Sequence, residues 1–454
     1  MRAKLPLVVA VEMGFGHLRA ADAVARALGQ PLLHADRAPV ADEAERALWA
    51  RTRRNYERLS RLATLPALGR PFGKLLDAIT HIPELHPGRD LSRPTFSTGV
   101  LERLIDRGLG RGVLAALERE QAPLFTTFFA TALAADRKGA AAVDCLVTDT
   151  DLARAWVPRD PRASRIRYFA PSERAVRRLA AYGVPPDRVL LTGFPLPDEL
   201  LGGEDLVVAR RHVARRLSRL DPRGRFRRAL GDDAARRLGV SSTDDGESPL
   251  MVFAVGGAGA QARLAAEFLP SLRPLIEVGR LRLALLAGTR PAVRTAFEAL
   301  VARHDLTGHP GVRVVAAATL DEYFPACNAL LAEADLLWTK PSEMTFFAAL
   351  GLPLVLSPPV GTQEAYNGRW AVEAGAGLAQ RAPNVAGEWL SEWLADGTLA
   401  GAAWNGFTRL PKRGLFRILR AVDRSQGRAS EARDGARSPA APSAGSIATR
   451  SSGS

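Results

Sequence analysis

Cysteine is nearly absent, with two residues in 454, Cys145 and Cys327. They lie far apart in the chain, in no CxxC or Cys/His spacing, which excludes a disulfide framework and a thiolate metal centre. Two buried free thiols in a reducing cytoplasm are the expectation. Long apolar runs are missing too: no stretch reaches the roughly 18 residues that a membrane-spanning helix needs. The start, MRAKLPLVVAVEMG, has basic residues and an apolar run, but Glu12 interrupts the run and no small-residue cleavage site follows. It reads as a first β-strand and not as a signal peptide. Negative charge is short, 48 Asp and Glu against 62 Lys and Arg, for a net charge of +14. Eleven arginines of that excess fall between Arg210 and Arg237. Such a stretch faces nucleic-acid phosphates or anionic membrane head groups, or is a solvated helical hairpin.

What is present is the composition of a globular protein that folds in water, 47% hydrophobic and 24% charged, long enough for two domains and a remainder. From Leu5 to about Pro197, short apolar runs (LPLVVAV, DCLVTDT, IRYFAPS, RVLLTGF) alternate with helical patterns (LRAADAVARAL, TGVLERLIDRGLGRGVLAALERE, ERAVRRLAAYG). That rhythm predicts βαβ units and a parallel sheet. The arginine-rich stretch interrupts it, followed by SSTDDGESP, a loop or linker signal. A second series then runs from LMVFAV to LPLVLSP, with SEMTFFAALG among its helices. The fold class expected is α/β, with two Rossmann-like, doubly wound domains facing an interdomain cleft. The expected divisions are an N-terminal domain over 1–198, an Arg-rich helical linker or insertion over 199–248, and a C-terminal domain over 249–400. A helix over 401–425 packs back on the first domain. Residues 426–454 have almost no large apolar side chain and are expected to be a disordered tail.

Two stretches carry the chemistry. In LMVFAVGGAGAQARLAAEF, a strand runs into Gly256, Gly257 and Gly259, then Ala260, Gln261 and a helix. Small residues let backbone approach an anion, and the free amides of a helix start favour negative charge. The GxGxxA spacing also admits a dinucleotide, but that needs an acid ending the next strand, and LLAGTR has none; Arg290 leaves an NADP reading open. In DLLWTKPSEMTFFAALGLPLVLSPPVGTQEAYNGRW, a strand ends at Thr339, Lys340, Ser342 and Glu343, and a later loop brings Gln363, Glu364 and Asn367. Such carboxylates and amides bind sugar hydroxyls in pairs.

Taken with the N-terminal GFGH turn (Gly14, Gly16, His17), VTDTDLARAW at 147–156 and TGFP at 192–195, these motifs resemble the GT-B glycosyltransferases of the monogalactosyldiacylglycerol synthase and peptidoglycan N-acetylglucosaminyltransferase family. The similarity covers most of residues 5–380 in order. The resemblance implies transfer of a hexose from a UDP-type nucleotide sugar to an acceptor hydroxyl, inverting and without a metal or other cofactor. It implies that Gly256, Gly257 and Gly259 hold the diphosphate, Gln363 and Glu364 meet the donor sugar, and Asn367 supports that loop. The family's ribose-binding Glu falls at Phe346; either Glu343 takes that role or the ribose is held differently.

The first domain is expected to receive a lipid or small-molecule acceptor, with Gly14, Gly16 and Asp151 on that side and Asp149 as base or orienting group. The Asp149-Thr150-Asp151 triplet spells a DxD metal motif and is read as coincidence. His17 titrates near neutrality and is the expected general base, lifted on the glycine turn. As a dinucleotide fingerprint that turn fails, because Arg19 stands where a Gly or Ala is needed. Residues 56–82 interleave apolar and basic side chains, an amphipathic membrane surface or a buried helical pair. The protein is therefore expected in the cytoplasm, with attachment to an anionic membrane surface, the inner face of the plasma membrane, left open, and nucleic acid not expected as partner. A sugar-nucleotide epimerase or hydrolase on the same fold, or a non-catalytic nucleotide-sugar or nucleic-acid-binding protein, is the alternative.

Overall fold

A computed structural model describes residues 4–63, 81–85, 89–240, 246–256 and 261–424. The expected tail at 426–454, most of the amphipathic 56–82 stretch and the first part of SSTDDGESP lie outside the described residues.

The first sheet comprises β1 (Leu7–Ala10), β2 (Leu32–His34), β3 (Leu124–Thr126), β4 (Val143–Leu146), β5 (Ile166–Ala170) and β6 (Val189–Leu191). All pairings are parallel, in the order β2-β1-β3-β4-β5-β6. Around it lie α1 (Phe15–Leu28), α2 (Glu43–Ala63), α3 (Phe96–Asp106), α4 (Arg111–Glu120), α5 (Phe129–Arg137), α6 (Glu173–Ala181) and α7 (Asp198–Leu201). Two long helices follow, α8 (Val207–Arg219) and α9 (Arg225–Leu238).

The second sheet has β7 (Leu250–Ala254), β8 (Arg282–Gly288), β9 (Val312–Ala316), β10 (Leu336–Thr339), β11 (Leu354–Leu356) and β12 (Gly377–Ala379), again all parallel. Its order, β12-β11-β10-β7-β8-β9, is the nucleotide-binding one, reversing direction between β7 and β10. Its helices are α10 (Leu264–Glu277), α11 (Pro291–Arg303), α12 (Leu320–Glu333), α13 (Thr362–Glu373), α14 (Ala386–Ala395) and α15 (Thr398–Arg409).

Period-two alternation splits β1: Val9 and Val11 join a core on one face of the first sheet, while Val8 and Ala10 join a second core continuous with that of the other domain. A last helix, 414–424, adds Leu415, Ile418 and Val422 to this shared core. Gly414 sits where a Cβ would fall 2.2 Å from the carbonyl oxygen of Phe194, so the TGFP segment and this helix meet backbone to backbone. Among the described residues no helix is long and apolar enough to cross a membrane. Cys145 and Cys327 are buried and free.

Three local expectations are corrected. The 98–120 helical pattern is two helices, broken at Gly108 and Gly110, both at positive φ. The break lets the buried Glu45 carboxylate accept N–H bonds from Gly110 (2.7 Å) and Gly112 (2.9 Å), capping the start of α4. SEMTFFAALG forms a 3-10 run, Glu343–Leu350, not an α-helix.

The arginine-rich stretch, third, is not wholly a surface for phosphates: Arg216 is 1% exposed. It donates to the carbonyls of Leu331 and Ala334 (2.8 and 2.7 Å) and of Leu350 (2.8 Å), so one guanidinium closes the carboxyl ends of both α12 and the 3-10 run. Arg215 reaches the Ala332 carbonyl, and Arg219 pairs with the buried Asp335. Replacing Arg216 by Met strands three carbonyls, so the expected loss of stability in urea titrations is roughly 2–4 kcal/mol, against under about 0.5 kcal/mol for Arg237→Met on the exposed face.

Candidate active site

In open parallel sheets, ligands bind beyond the strand carboxyl ends where the winding reverses. In the first sheet that point lies between β1 and β3, in the second between β7 and β10. Apart from Asp151, the described candidate residues lie at the ends of strands bordering these two crevices, and the crevices face each other. At the seam a Cβ on Gly16 would fall 3.2 Å from the Glu343 Cβ.

On the first side, β1 ends in a turn that needs Gly14 at φ 111°. Helix α1 starts at the next residue, so His17 lies inside its first turn and not on the crest of a loop. Strands β3 and β4 hold the ring: Nδ1–H donates to the Thr127 carbonyl at 2.7 Å, and the Thr148 hydroxyl lies 3.2 Å from the same nitrogen. A carbonyl only accepts, so Nδ1 carries the proton and Nε2 the lone pair. Phe128 stands edge-on to the imidazole at 4.9 Å, with Trp156 at 6.2 Å. Burial pushes His17 down to about 4, partly opposed by the Thr127 bond. The ring is neutral at physiological pH.

Asp149 leaves the end of β4 half-buried. Burial raises its carboxyl to about 6; the Asn367 hydrogen bond opposes this, and the charges of Glu343 and Glu364 add to it. Asp151 is corrected: it is fully buried and bound by Arg174 (2.7 Å) and Arg178 (2.7 and 2.9 Å). Its carboxylate ties α6 to the β4 end and does not line the acceptor side. The two carboxylates of the DxD triplet thus serve different partners, Asp149 the Asn367 amide and Asp151 the two arginines. Among the described residues no cluster of His, Cys, Asp and Glu could hold a metal ion.

On the second side, a Cβ at Gly256 would lie 2.8 Å from the Lys340 Cε, so the lysine side chain lies across the turn that leaves β7. Gly257, Gly259 and Ala260 lie outside the described residues. Gln261, at φ 68°, donates to the Pro358 carbonyl at 2.9 Å. The Thr339 hydroxyl binds the Ala254 carbonyl at 3.2 Å and ties the two strand ends together. The Ser342 N–H closes a tight turn onto the Lys340 carbonyl. Lys340 pairs with Glu364, whose other oxygen accepts the Val360 N–H at 2.9 Å. Gln363 stands half-buried beside it in the first turn of α13.

Asn367 is fully buried between the two domains. Its Oδ1 accepts from the Thr150 N–H (2.8 Å) and hydroxyl (2.9 Å). Its Nδ2 donates to Asp149 (2.8 Å) and to the Pro341 carbonyl (3.3 Å). Glu343 is 8% exposed, and among the described residues its carboxylate has no hydrogen bond or ion pair. Phe346 is 2% exposed and stacks on Phe194 at 4.6 Å and 7°. No ligand group reaches that position.

Sequence reasoning missed Thr127 and Thr148, which orient His17, and the Phe128 and Trp156 walls. Strand β3 is three residues long, too short to show a period. The TTFF that follows it was the available signal.

No family model and no curated protein matches the chain. Among solved structures it is similar to S. aureus MnaA, determined with UDP, at 11% identity over 94% of this chain and 97% of that one, with a TM-score of 0.50. MurG from Acinetobacter baumannii matches at 14% identity over 92% and 98% of the two chains (TM-score 0.48). The glycosyltransferase SnogD from Streptomyces nogalater matches at 15% over 91% and 98% (TM-score 0.41). The fold is thus two Rossmann-like domains across a cleft, the GT-B arrangement.

The depressed His17 value makes stability depend on pH. Unfolded, the imidazole titrates at 6.5, and folded at about 4. Between these values the unfolded chain binds the extra proton, so stability rises with pH across the window. Asp149, raised, contributes the opposite slope, but does so equally in a His17 variant. From pH 7.5 to 4.5, wild type should lose on the order of 2 kcal/mol more than His17→Asn in urea titrations; parallel losses would remove the neutral imidazole from the site.

Proposed function

We propose that the protein is a glycosyltransferase that moves a hexose from a UDP-type nucleotide sugar to an acceptor hydroxyl, with inversion. One observation carries the reading. A neutral histidine, its Nδ1 tied to a carbonyl and its Nε2 without a partner among the described residues, stands at one sheet's switch point, across a seam from the Gly256–Lys340–Glu364 crevice of the other. The S. aureus structure, which shares the fold over nearly the whole chain, contains UDP, which supports a UDP-type nucleotide as ligand.

On this reading the donor diphosphate meets the turn after β7 and Lys340, with Gln363 and Glu364 reading the sugar hydroxyls. Glu343, unpartnered beside the turn, accepts from the ribose hydroxyls, since Phe346 is sealed in the core. The acceptor oxygen attacks the anomeric carbon, the bond from that carbon to the diphosphate oxygen breaks, and the acceptor proton passes to His17 Nε2. The diphosphate leaves with the bonding pair, and amides at the start of the second domain's first helix, with Lys340, take up its charge. Asp149 orients the acceptor hydroxyl. The reading routes no step through a metal: Asp151, half of the DxD triplet, is committed to two arginines. The acceptor is a lipid or small molecule, met in the cytoplasm or at an anionic membrane surface, and liposome flotation separates the two.

Incubation with UDP-glucose, UDP-galactose and UDP-N-acetylglucosamine, followed by NMR of the sugar, tests the class of reaction. Epimerised sugar without acceptor selects the epimerase reading, while absence of any UDP-dependent thermal shift sinks both. His17→Ala should lower turnover about 100-fold with UDP affinity kept within about twofold. In calorimetry, wild type should prefer UDP to 2′-deoxy-UDP, and Glu343→Gln should lose about tenfold of that preference. Equal preference in the two proteins would mean that the ribose is held elsewhere.

A further inference from the structure

Arg19 has no part in the chemistry above, yet it is 2% exposed and crosses from one domain into the other. Its guanidinium lies 5.7, 5.0 and 5.4 Å from the ring centres of Tyr323, Phe324 and Phe347, all of the second domain. It donates to the Asn328 side-chain oxygen at 3.3 Å and to the Cys327 sulfur at 3.4 Å. Asn328 in turn donates to Glu199 of α7 at 2.7 Å. Among the described residues no carboxylate lies within ion-pair distance of Arg19, and its Nε is buried without a partner. An apolar side chain of similar length would fill this cavity without the desolvation cost of a buried cation. What arginine supplies instead is a planar group that grips several rings and two polar atoms in one fixed orientation.

Helical geometry gives that grip a consequence. Residues 15 and 19 lie one turn apart on one face of α1, and residue 17 lies about 200° round from either. The Phe15 ring packs on Tyr323 at 4.8 Å, on the same side as Arg19. His17, on the opposite side, is held by Thr127 and Thr148 of the first sheet. The first turn of α1 is clamped between the domains, one face on each.

We infer that Arg19 is a positioning residue: it seats α1 on the second domain and so sets where His17, on the other face of the same turn, points its free nitrogen. The effect on turnover rests on the reading of His17 as base; the effect on the imidazole's surroundings does not.

The test uses the full-length chain with Arg19→Met and Arg19→Lys. The His17 ring resonance is followed against pH by NMR and identified by its absence in His17→Asn. In Arg19→Met the loosened ring becomes hydrated, and its midpoint should rise from about 4 by about one unit or more towards the ordinary value, with Arg19→Lys between Met and wild type. With a working donor, kcat should fall about tenfold while the donor KM stays within about twofold. A purely structural arginine would lower the melting temperature and leave the midpoint and the kcat/KM split alone. A folded Arg19→Met whose His17 titrates as in wild type overturns the assignment. If Arg19→Met does not fold, Asn328→Ala, which removes one contact of the guanidinium, decides by a smaller shift in the same direction or by none. A wild type that binds no UDP would overturn the donor reading, while the imidazole titration would still decide the role of Arg19.

Discussion

The two halves of the molecule depend on one side-chain amide. Asn367 has two acceptor positions and two donor hydrogens, and all four are used, two of the bonds on Thr150, one on Asp149 and one on Pro341. A buried amide that loses one partner leaves the others in a medium with no water to replace it. The β4 end that carries Asp149 and the α13 start that carries Gln363 and Glu364 therefore share a geometry. Neighbouring contacts on α13 follow the same line. Tyr366 reaches the Ile82 carbonyl and lies under Arg174, and Arg369 pairs with Glu84.

The balance of charge around the seam is unusual for a site proposed to hold a diphosphate. Asp149, Glu343 and Glu364 approach from three segments, and Lys340 is paired with one of them. Their mutual repulsion contributes to the raised Asp149 value. The positive end of the cleft must come from backbone, the amides at a helix start, more than from side chains. Carboxylates so placed suit hydroxyl-rich ligands, which donate to them.

The architecture was legible because parallel sheets write themselves as apolar runs at regular spacing, and strands of four residues or more were visible. Strands β2, β3 and β12, three residues each, were not, whereas the equally short β6 and β11 were, because the longer apolar runs RVLLTGF and LPLVLSP contain them. Of the candidate site, the residues at strand ends were found, since chemistry in this fold class sits there. The errors arose where a local motif had a tertiary explanation. Asp151 looked like part of the acceptor side, but two arginines more than twenty residues later consume it. The arginine-rich stretch was read as an anion-facing surface or a solvated helical hairpin; it is a pair of helices, but Arg216 turns inward to serve carbonyls more than a hundred residues away. Arg19, noted for breaking a glycine fingerprint, is large for the same reason that it breaks it: it reaches another domain. Partners so distant in sequence leave no spacing to read.

The Phe194–Phe346 stack has a mechanical meaning beyond its exclusion of ligand. Two near-parallel rings at 4.6 Å have no donor or acceptor to align, so they slide over each other at little cost while staying dry. Directed bonds such as those of Asn367 break with small shifts of the same kind. The two domains are thus joined by fastenings of opposite character, a directed snap at Asn367 and a greased bearing at the ring stack.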